Sequence, residues 1–262
     1  MDFESAIAFV KSHGDEIEQA RLAYLLANER PSQQIVNALL SGQREDGGWP
    51  PFWAPDYSSL DATCFRLAQA EQSGLICIEP AIARAVEFLR RRQRNDGSWE
   101  EDESVASIAP AWARPGELGA RLYLTANCGF WLAVLEGTSD GAVRAAHYLQ
   151  VHLDDKGQLP SFPHTHWLAG GLWHHLGQQE PFERVSSYLN TILHVLNASN
   201  LAWLIVSWLI VQIPASHPLL NRAALLLERG QGQDGRWPSE DGPQRDVHST
   251  LEAVRALRWC GR

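Results

Sequence analysis

One aspartate stands where a proton donor could be placed. Asp61 lies in the segment Asp56-Tyr-Ser-Ser-Leu-Asp61-Ala-Thr-Cys64, at the predicted start of an apolar helix. If this side chain is buried, its carboxylic acid stays neutral and can give a proton to a weakly basic substrate. The alternative is a structural role, because first-turn aspartates also cap helices and favour the helix dipole.

Other polar side chains stand at the starts of the more apolar predicted helices. Parallel helices bring their starts to one end, so we expect these side chains to converge on one binding site. Two histidines of the set, His164 and His166, lie only two residues apart. Residues at this spacing do not share a helix face, so a capping or wall role is the alternative to ligand binding for both. The polar candidates are Asn127, His164, His166, Asn200, Asp246 and His248.

The chain has 11 tryptophans, and several lie where they could line a ligand-binding cavity. Aromatic faces attract cations, so such a wall suits a cationic intermediate, whereas core packing is the alternative for each residue. Two proline-rich stretches, residues 50–55 and 109–115, also carry aromatic side chains and are candidates for a lid. The aromatic candidates for substrate contact are Trp53, Tyr57, Trp112, Trp131, Trp167 and Trp203.

Two acidic stretches precede predicted apolar helices. They are Glu100 to Glu103, and Glu240–Asp241 with Asp246. Carboxylate oxygens bind Mg²⁺, so these loops could hold that metal if the substrate is a diphosphate. Solvated surface charge is the alternative, and no cofactor is required by the residues themselves.

An internal repeat sets the elements that must position these residues. The pattern Gln-x-x-Asp-Gly-x-Trp occurs at 43–49, 93–99 and 231–237, each time after a predicted amphipathic helix. We expect the glycine to turn the backbone and the tryptophan to pack back on the helix end. A degenerate fourth copy has Leu153 in the glutamine position and Leu159 in the tryptophan position.

Apolar residues recur with helical spacing along nearly the whole chain, without strand-like alternation. Amphipathic and more apolar helices alternate, which predicts six outer helices that cover six inner ones. We therefore expect an all-α fold, an (α/α)6 toroid, with residues 1–262 as a single domain. The predicted helices span residues 2–13, 15–29, 31–42, 58–72, 79–93, 121–136, 139–152, 164–177, 181–195, 199–212, 217–230 and 246–259.

Composition argues against several classes of protein. The formal net charge of −9 argues against nucleic-acid binding. Four cysteines without a CxxC pair fit a reducing compartment, and the N-terminal residues do not resemble a signal peptide, so we expect a cytoplasmic protein. The longest apolar run, residues 201–213, is too short to span a bilayer, so we expect no transmembrane segment.

The Gln-x-x-Asp-Gly-x-Trp pattern resembles the QW repeat of squalene–hopene and oxidosqualene cyclases. Class II diterpene cyclases and protein prenyltransferase β subunits share this repeat in weaker form. The resemblance covers most of the chain and implies an (α/α)6 toroid with a central cavity, in which the repeated glutamines and tryptophans are structural. Squalene cyclases have two helical domains, whereas this chain has room for one, which argues against a large triterpene substrate.

The resemblance also implies a chemistry. Class II cyclases protonate an alkene with Asp-x-Asp-Asp followed by Thr-Ala. Asp61 and Thr63 resemble the end of that motif, while Ser59 and Leu60 replace the other carboxylates. The similarity implies a terpene-cyclase-like enzyme that cyclises a polyprenyl or prenyl diphosphate substrate after protonation, with Asp61 as the acid.

Two alternatives stay open. Protein prenyltransferases hold zinc with Asp-x-Cys and a later histidine, which Asp61, Cys64 and His248 resemble at a different spacing. The other alternative is a non-catalytic binding module for an apolar isoprenoid ligand. In each case the partner is a small isoprenoid molecule, peripheral membrane contact is compatible with it, and the oligomeric state is left open.

Overall fold

The computed structural model describes residues 1–75, 79–239 and 242–262. Within these residues the chain forms twelve α-helices and no β-strand, and each predicted helix is present. They are α1 (Phe3–His13), α2 (Glu16–Ala27), α3 (Gln33–Leu39), α4 (Leu60–Glu71), α5 (Pro80–Arg92), α6 (Leu118–Glu136), α7 (Asp140–Val151), α8 (Pro163–His175), α9 (Gln179–Ile192), α10 (Ala198–Ile210), α11 (Pro218–Arg229) and α12 (Asp246–Trp259).

Caps and prolines start several helices. Ser59 and Ser139 accept backbone N–H groups at the starts of α4 and α7, and Asp15 forms a capping box with Glu18 on α2. Pro80 occupies the first position of α5, where its missing N–H costs little. These local signals explain why the predicted helix starts lie close to the observed ones.

One helix is clearly shorter than predicted. The prediction for α3 was 31–42, whereas the helix ends at Leu39. The indole N–H of Trp49 lies 3.4 Å from the carbonyl oxygen of Leu40 and 3.1 Å from that of Ser41, and donates to both. The chain then turns at Gly42, where φ is +76°.

Backbone contacts group the chain into two compact units, residues 39–188 and residues 1–38 with 189–262. In the first unit α6 packs against α4, α5, α7 and α8, and most of its side chains are buried. In the second unit α12 packs against α1, α2, α10 and α11. Each unit thus has one helix covered by several others, as expected for an inner helix, while the single-domain assignment stays a prediction.

One helix of the described residues, α6, is long and apolar enough to cross a membrane by length and composition. Its most apolar stretch is 72% buried inside the protein. This environment is that of a core helix. Most of the longest apolar run, residues 201–213, lies in the shorter helix α10.

The predicted tryptophan turns pack on the ends of the preceding helices. Trp99 is fully buried, and its indole N–H donates to the carbonyl of Leu89 at 2.8 Å. Its backbone N–H donates to the hydroxyl of Thr125 on α6 at 3.0 Å. The other copies pair Trp49 with Ser41 and Thr63, and Trp237 with Leu227 and Thr250. The structural role expected for the three tryptophans is confirmed.

The glutamine of each turn reaches the next amphipathic helix. Gln93 donates from Nε2 to the carbonyls of Gly97 at 3.0 Å and Gly141, on α7, at 2.9 Å. Gly97 has φ of +90°, and a Cβ atom there would lie 2.6 Å from the carbonyl oxygen of Arg144. Only glycine fits both requirements. One turn therefore joins the preceding helix, the next amphipathic helix and the intervening apolar helix.

The degenerate fourth copy keeps the turn with different side chains. Leu159 is buried in the tryptophan position, and its backbone N–H donates to Nε2 of His166 at 3.0 Å. His166 therefore accepts the backbone N–H of this turn, as a threonine hydroxyl does in the other three turns. Its contacts make it a structural residue of the turn, which differs from the substrate-binding role predicted for it.

Replacing Trp99 with alanine should destabilise the protein strongly. The loss of a fully buried indole and the cavity it leaves should lower the free energy of unfolding by about 3–5 kcal/mol. Chemical denaturation followed by circular dichroism would measure it. Trp259→Ala is the control, because Trp259 is 39% exposed and should cost clearly less. Unchanged stability of Trp99→Ala would contradict the structural role.

Candidate active site

Asp61 lies in the first turn of α4, yet it does not cap that helix. The N-cap is Ser59, whose hydroxyl accepts the N–H of Ala62 at 3.2 Å. The Asp61 carboxyl makes two other bonds: Oδ1 accepts from the Tyr123 hydroxyl at 2.5 Å, and Oδ2 accepts from the Trp112 indole N–H at 3.1 Å. Capping therefore does not account for this aspartate.

Two elements of the unit formed by residues 39–188 hold the donors. Tyr123 lies on α6, and Asn127, one turn later, donates from Nδ2 to the tyrosine oxygen at 3.2 Å. Because that oxygen accepts from Asn127, the tyrosine hydrogen is left for Asp61. Trp112 lies in a 3-10 turn, Ala111–Ala113, that packs against α6. The second proline-rich stretch thus supplies a partner of the acid.

The surroundings favour the neutral form of Asp61. Burial raises the pKa of this carboxyl above its ordinary value, and the bonds from Tyr123 and Trp112 offset only part of that effect. Burial and the adjacent carboxyl raise the pKa of Tyr123 well above its ordinary value, so the phenol keeps its proton. The Asp61 side chain is half-buried, so part of its surface remains accessible.

Aromatic rings surround the Asp61–Tyr123 pair. The His164 ring meets Tyr123 edge-on, with centroids 4.5 Å apart, and stacks on Phe162 at 5.4 Å. Trp167 lies 5.9 Å from His164. Burial, with a smaller effect of neighbouring His166, lowers the pKa of His164 to about 4, so this imidazole is uncharged at neutral pH. The aromatic groups next to the Asp61–Tyr123 pair, including the His164 imidazole, are therefore uncharged.

A second buried carboxyl, Glu101, lies at the start of α4. Its Oε1 accepts from the Ser59 hydroxyl at 2.7 Å and the Leu60 N–H at 2.9 Å, and its Oε2 accepts from the Tyr57 hydroxyl at 2.9 Å. Arg92 donates to the Tyr57 oxygen at 2.8 Å and lies 3.7 Å from Glu101. Burial raises the pKa of Glu101 to about 7. The Tyr57 hydroxyl therefore donates to Glu101 and accepts from Arg92 within this network.

The structure gathers some predicted site residues of this unit and leaves others apart. Trp53 is half-buried, with its ring 6.2 Å from that of Tyr57. Trp131 is buried against Phe130, at 5.5 Å. The predicted residues that cluster around Tyr123 are Asp61, Trp112, Asn127, His164 and Trp167.

The unit of residues 1–38 and 189–262 holds the other polar candidates. Asp246 is buried and bound: Oδ2 pairs with Arg236 at 2.8 Å, and Oδ1 accepts the N–H of Ser239 at 2.8 Å. These contacts give Asp246 a structural role at the start of α12. The remaining candidates of this unit are half-buried, namely Asn200 and Trp203 on α10 and His248 on α12.

The zinc ligands suggested by the sequence lie on two helices, Asp61 and Cys64 on α4 and His248 on α12. No group of three or more His, Cys, Asp or Glu side chains among those residues could hold a metal ion. The Cys64 thiol lies instead 3.8 Å from the Cys128 thiol. Asp61 and Cys64 lie in one unit and His248 lies in the other, and Cys77 lies outside the described residues.

The carboxylates of the first acidic stretch pair with other side chains of the protein. Glu100 pairs with Arg94 and Arg121, and Glu101 has the network described above. Within the described part of the chain, no cluster of acidic side chains at this stretch could hold a metal ion. The second stretch, Glu240–Asp241, lies outside the described residues.

Two residues of the site did not stand out as such in the sequence. Tyr123 is not part of any motif in the sequence, although it precedes Asn127 by one helical turn and so shares its face of α6. Glu101 was included only as a member of an acidic run. Its bond to Leu60 joins residues 41 positions apart, which spacing along the chain does not reveal.

Comparison with known proteins gives a structural likeness. No protein-family model matches the chain, and no curated protein matches its sequence. A variant of type II terpene cyclase MstE from Scytonema, in complex with its substrate geranylgeranyl dihydroxybenzoate, matches with a TM-score of 0.65 and 15% identity, covering 98% of this chain and 95% of that one. MstE without ligand gives a TM-score of 0.62 at 15% identity, with 97% and 96% covered. A protein from Actinoplanes gives 0.64 at 16% identity, with 99% and 98% covered.

At this level of identity the likeness defines the fold and nothing finer. The chain has a terpene-cyclase-like fold along nearly its whole length. The fold class expected from the sequence, an all-α toroid, is therefore confirmed.

Glu101→Gln should remove one component of the pH dependence of stability. The pKa of Glu101 is raised from 4.5 to about 7 in the folded protein. Between these values the folded protein holds a proton that the unfolded chain has lost, so stability falls as the pH rises, by up to about 3 kcal/mol. Glutamine cannot ionise, so the unfolding free energy of the variant should not show this decrease with rising pH.

Denaturation curves at several pH values from 4.5 to 8 would measure the effect. Glu103→Gln is the control, because Glu103 is exposed in the same loop and should leave the pH dependence as in the wild type. A Glu101→Gln protein that kept the wild-type fall in stability would contradict the assignment.

Proposed function

We propose that the chain is a terpene-cyclase-like enzyme that protonates and cyclises an isoprenoid, with Asp61 as the acid. The observation that carries the proposal is the setting of the Asp61 carboxyl. It is desolvated and bonded by two uncharged donors, Tyr123 and Trp112. We also propose that the chain belongs to the superfamily whose QW repeat its turns resemble.

The reaction begins with transfer of the Asp61 proton to a double bond. The Tyr123 hydroxyl donates to Oδ1, which suits the carbonyl oxygen of the neutral acid and leaves the proton on Oδ2. The π electrons of the alkene take this proton to form a C–H bond, and the O–H electron pair stays on Asp61. A tertiary carbocation results, and the two donors stabilise the new carboxylate.

Ring closure follows from the cation. The next double bond of the substrate attacks the cationic carbon, which forms a C–C bond and moves the charge along the chain. Loss of a proton at the end balances the proton added at the start, so the product is an isomer of the substrate. Solvent must then reprotonate Asp61 for another turnover.

The aromatic rings near the acid suit the charge that develops. Tyr123, Phe162 and Trp167 present aromatic groups around His164, whose neutral imidazole adds no repulsive charge. Aromatic faces attract a cation more than the neutral substrate, so their contribution grows in the transition state. The substrate named for the Scytonema cyclase, geranylgeranyl dihydroxybenzoate, also bears a prenyl chain, which supports a small isoprenoid ligand here.

Asp61→Asn should abolish turnover and preserve the fold. The amide has nearly the same shape and its oxygen still accepts a hydrogen bond, but it has no acidic proton to give. The assay would offer geranylgeranyl dihydroxybenzoate, squalene, and the geranyl, farnesyl and geranylgeranyl alcohols and diphosphates, with and without Mg²⁺. Cyclic products would be identified by chromatography with mass spectrometry.

Asp155→Asn is the matched control, because its side chain is fully exposed and its activity should equal that of the wild type. Cyclic product from Asp61→Asn at the wild-type rate would remove Asp61 as the acid. Binding without product by the wild type, across all substrates, would favour the binding module.

Tyr123→Phe should slow the reaction and shift its pH dependence. The acid must be protonated to react, so activity falls as the pH rises through the raised pKa of Asp61. Removing the Tyr123 hydroxyl removes a donor that lowers this pKa, so the fall should move to higher pH. The carboxylate formed also loses a bond, and we expect kcat to drop roughly 10- to 100-fold.

The pH profile of kcat separates this role from a merely structural one. A Tyr123→Phe variant with the wild-type profile and rate would contradict the positioning of Asp61 by Tyr123. Circular dichroism would verify that the variant is folded.

A further inference from the structure

One face of α4 is accessible, and it carries an acid on the face and a cation at its edge. Asp61, Phe65 and Gln69 follow one another at a spacing of four, which places them on one face of the helix. Phe65 is 43% exposed, and Asp61 and Gln69 are half-buried. Arg66 lies at the edge of this face, one turn before Gln69, to which it donates a hydrogen bond. The opposite side is buried and consists of Thr63, Cys64, Leu67 and Ala70.

Arg66 differs from the other desolvated arginines. Burial lowers the pKa of its guanidinium, and no acid offsets this effect. Among the described residues, its hydrogen bond is to the neutral amide of Gln69, at 2.8 Å, and it forms no ion pair. The comparable arginines are paired: Arg21 with Glu252 at 2.6 Å and Arg92 with Glu101 at 3.7 Å.

A half-buried cation without an anion is unfavourable unless something else compensates it. The charge has lost part of its hydration, and one amide oxygen restores little of that loss. The chain has more acidic than basic residues, 31 against 22, yet none of the described acids pairs with this arginine. A guanidinium is also the group best suited to carboxylate and phosphate oxygens, because its N–H groups form a planar fork.

We propose that Arg66 binds the anionic head group of the substrate, whose prenyl chain runs along α4 to Asp61. This inference rests on the proposed function and narrows its substrate to prenyl compounds with a carboxylate or diphosphate head. Phe65 lies between the two polar residues and would contact the apolar chain. Five residues of α-helix separate Asp61 from Arg66 along the axis by about 7.5 Å, a distance that at least a geranyl chain must bridge.

The test measures binding, so it does not depend on turnover. The probes are geranyl diphosphate, a geranylated hydroxybenzoate and uncharged geraniol, with dissociation constants from isothermal titration calorimetry. The proteins are the wild type, Arg66→Gln, Arg66→Lys and the control Arg30→Gln. Arg30 is exposed, so its replacement removes one positive charge away from α4.

Arg66→Gln should weaken the two anionic probes roughly 10- to 100-fold and leave geraniol unchanged. Arg66→Lys should recover part of the loss, and Arg30→Gln should bind as the wild type does. Inorganic pyrophosphate should compete with geranyl diphosphate on the wild type. The melting temperature of Arg66→Gln should be unchanged or higher, because the variant lacks an unpaired desolvated charge.

Several outcomes would overturn the proposal. They are equal affinity of wild type and Arg66→Gln for the anionic probes, an equal loss for geraniol and the anions, and no binding of any probe by the wild type. A loss for one anionic probe alone would assign the head group as a carboxylate or a diphosphate. Selective anion binding without cyclic product would leave this inference standing while the proposed function fails.

Discussion

The hydrogen bond from each turn to the following apolar helix fixes where that helix starts and how it is rotated. The backbone N–H of Trp99 donates to the Thr125 hydroxyl, and the indole of the same residue is bound to Leu89. The apolar helix is therefore tied to the end of the preceding amphipathic helix through one rigid side chain. Fully buried hydrogen bonds of this kind are costly to leave unmade, so the register cannot slip by one residue.

The same register places the candidate catalytic groups. Residues two positions apart on an α-helix point about 200° apart, so the residue two places before each turn-binding side chain faces away from the turn. In the unit of residues 39–188 three such residues meet around one site. In each case the first residue faces the site and the second binds the turn: Asp61 and Thr63, Tyr123 and Thr125, His164 and His166. His248 and Thr250 have the same spacing on α12.

The sequence predicted the helices well because their signals are local. Apolar spacing, capping residues and the repeated turns depend on a few consecutive residues, and each of the twelve helices follows from them. Asp61 was also predictable, since its place before Thr63 resembles a known motif. Tyr123 was not, because a tyrosine on an apolar helix looks like core packing until its hydroxyl is placed beside an acid. His166 was a candidate for substrate contact with capping as the alternative. Its bond to the Leu159 N–H was not predictable, because the fourth turn lacks the glutamine and tryptophan that mark the others.

An acid that protonates a weak base must be neutral before the reaction and stabilised after it. A paired arginine would lower the pKa of Asp61 and hold it as a carboxylate. The N–H groups at the start of α4 would do the same through the helix dipole. Glu101 accepts the Leu60 N–H and the Ser59 hydroxyl, and Arg92 lies against Glu101. The positive groups nearest the start of the helix are thus taken by a second carboxyl, which leaves Asp61 only neutral donors.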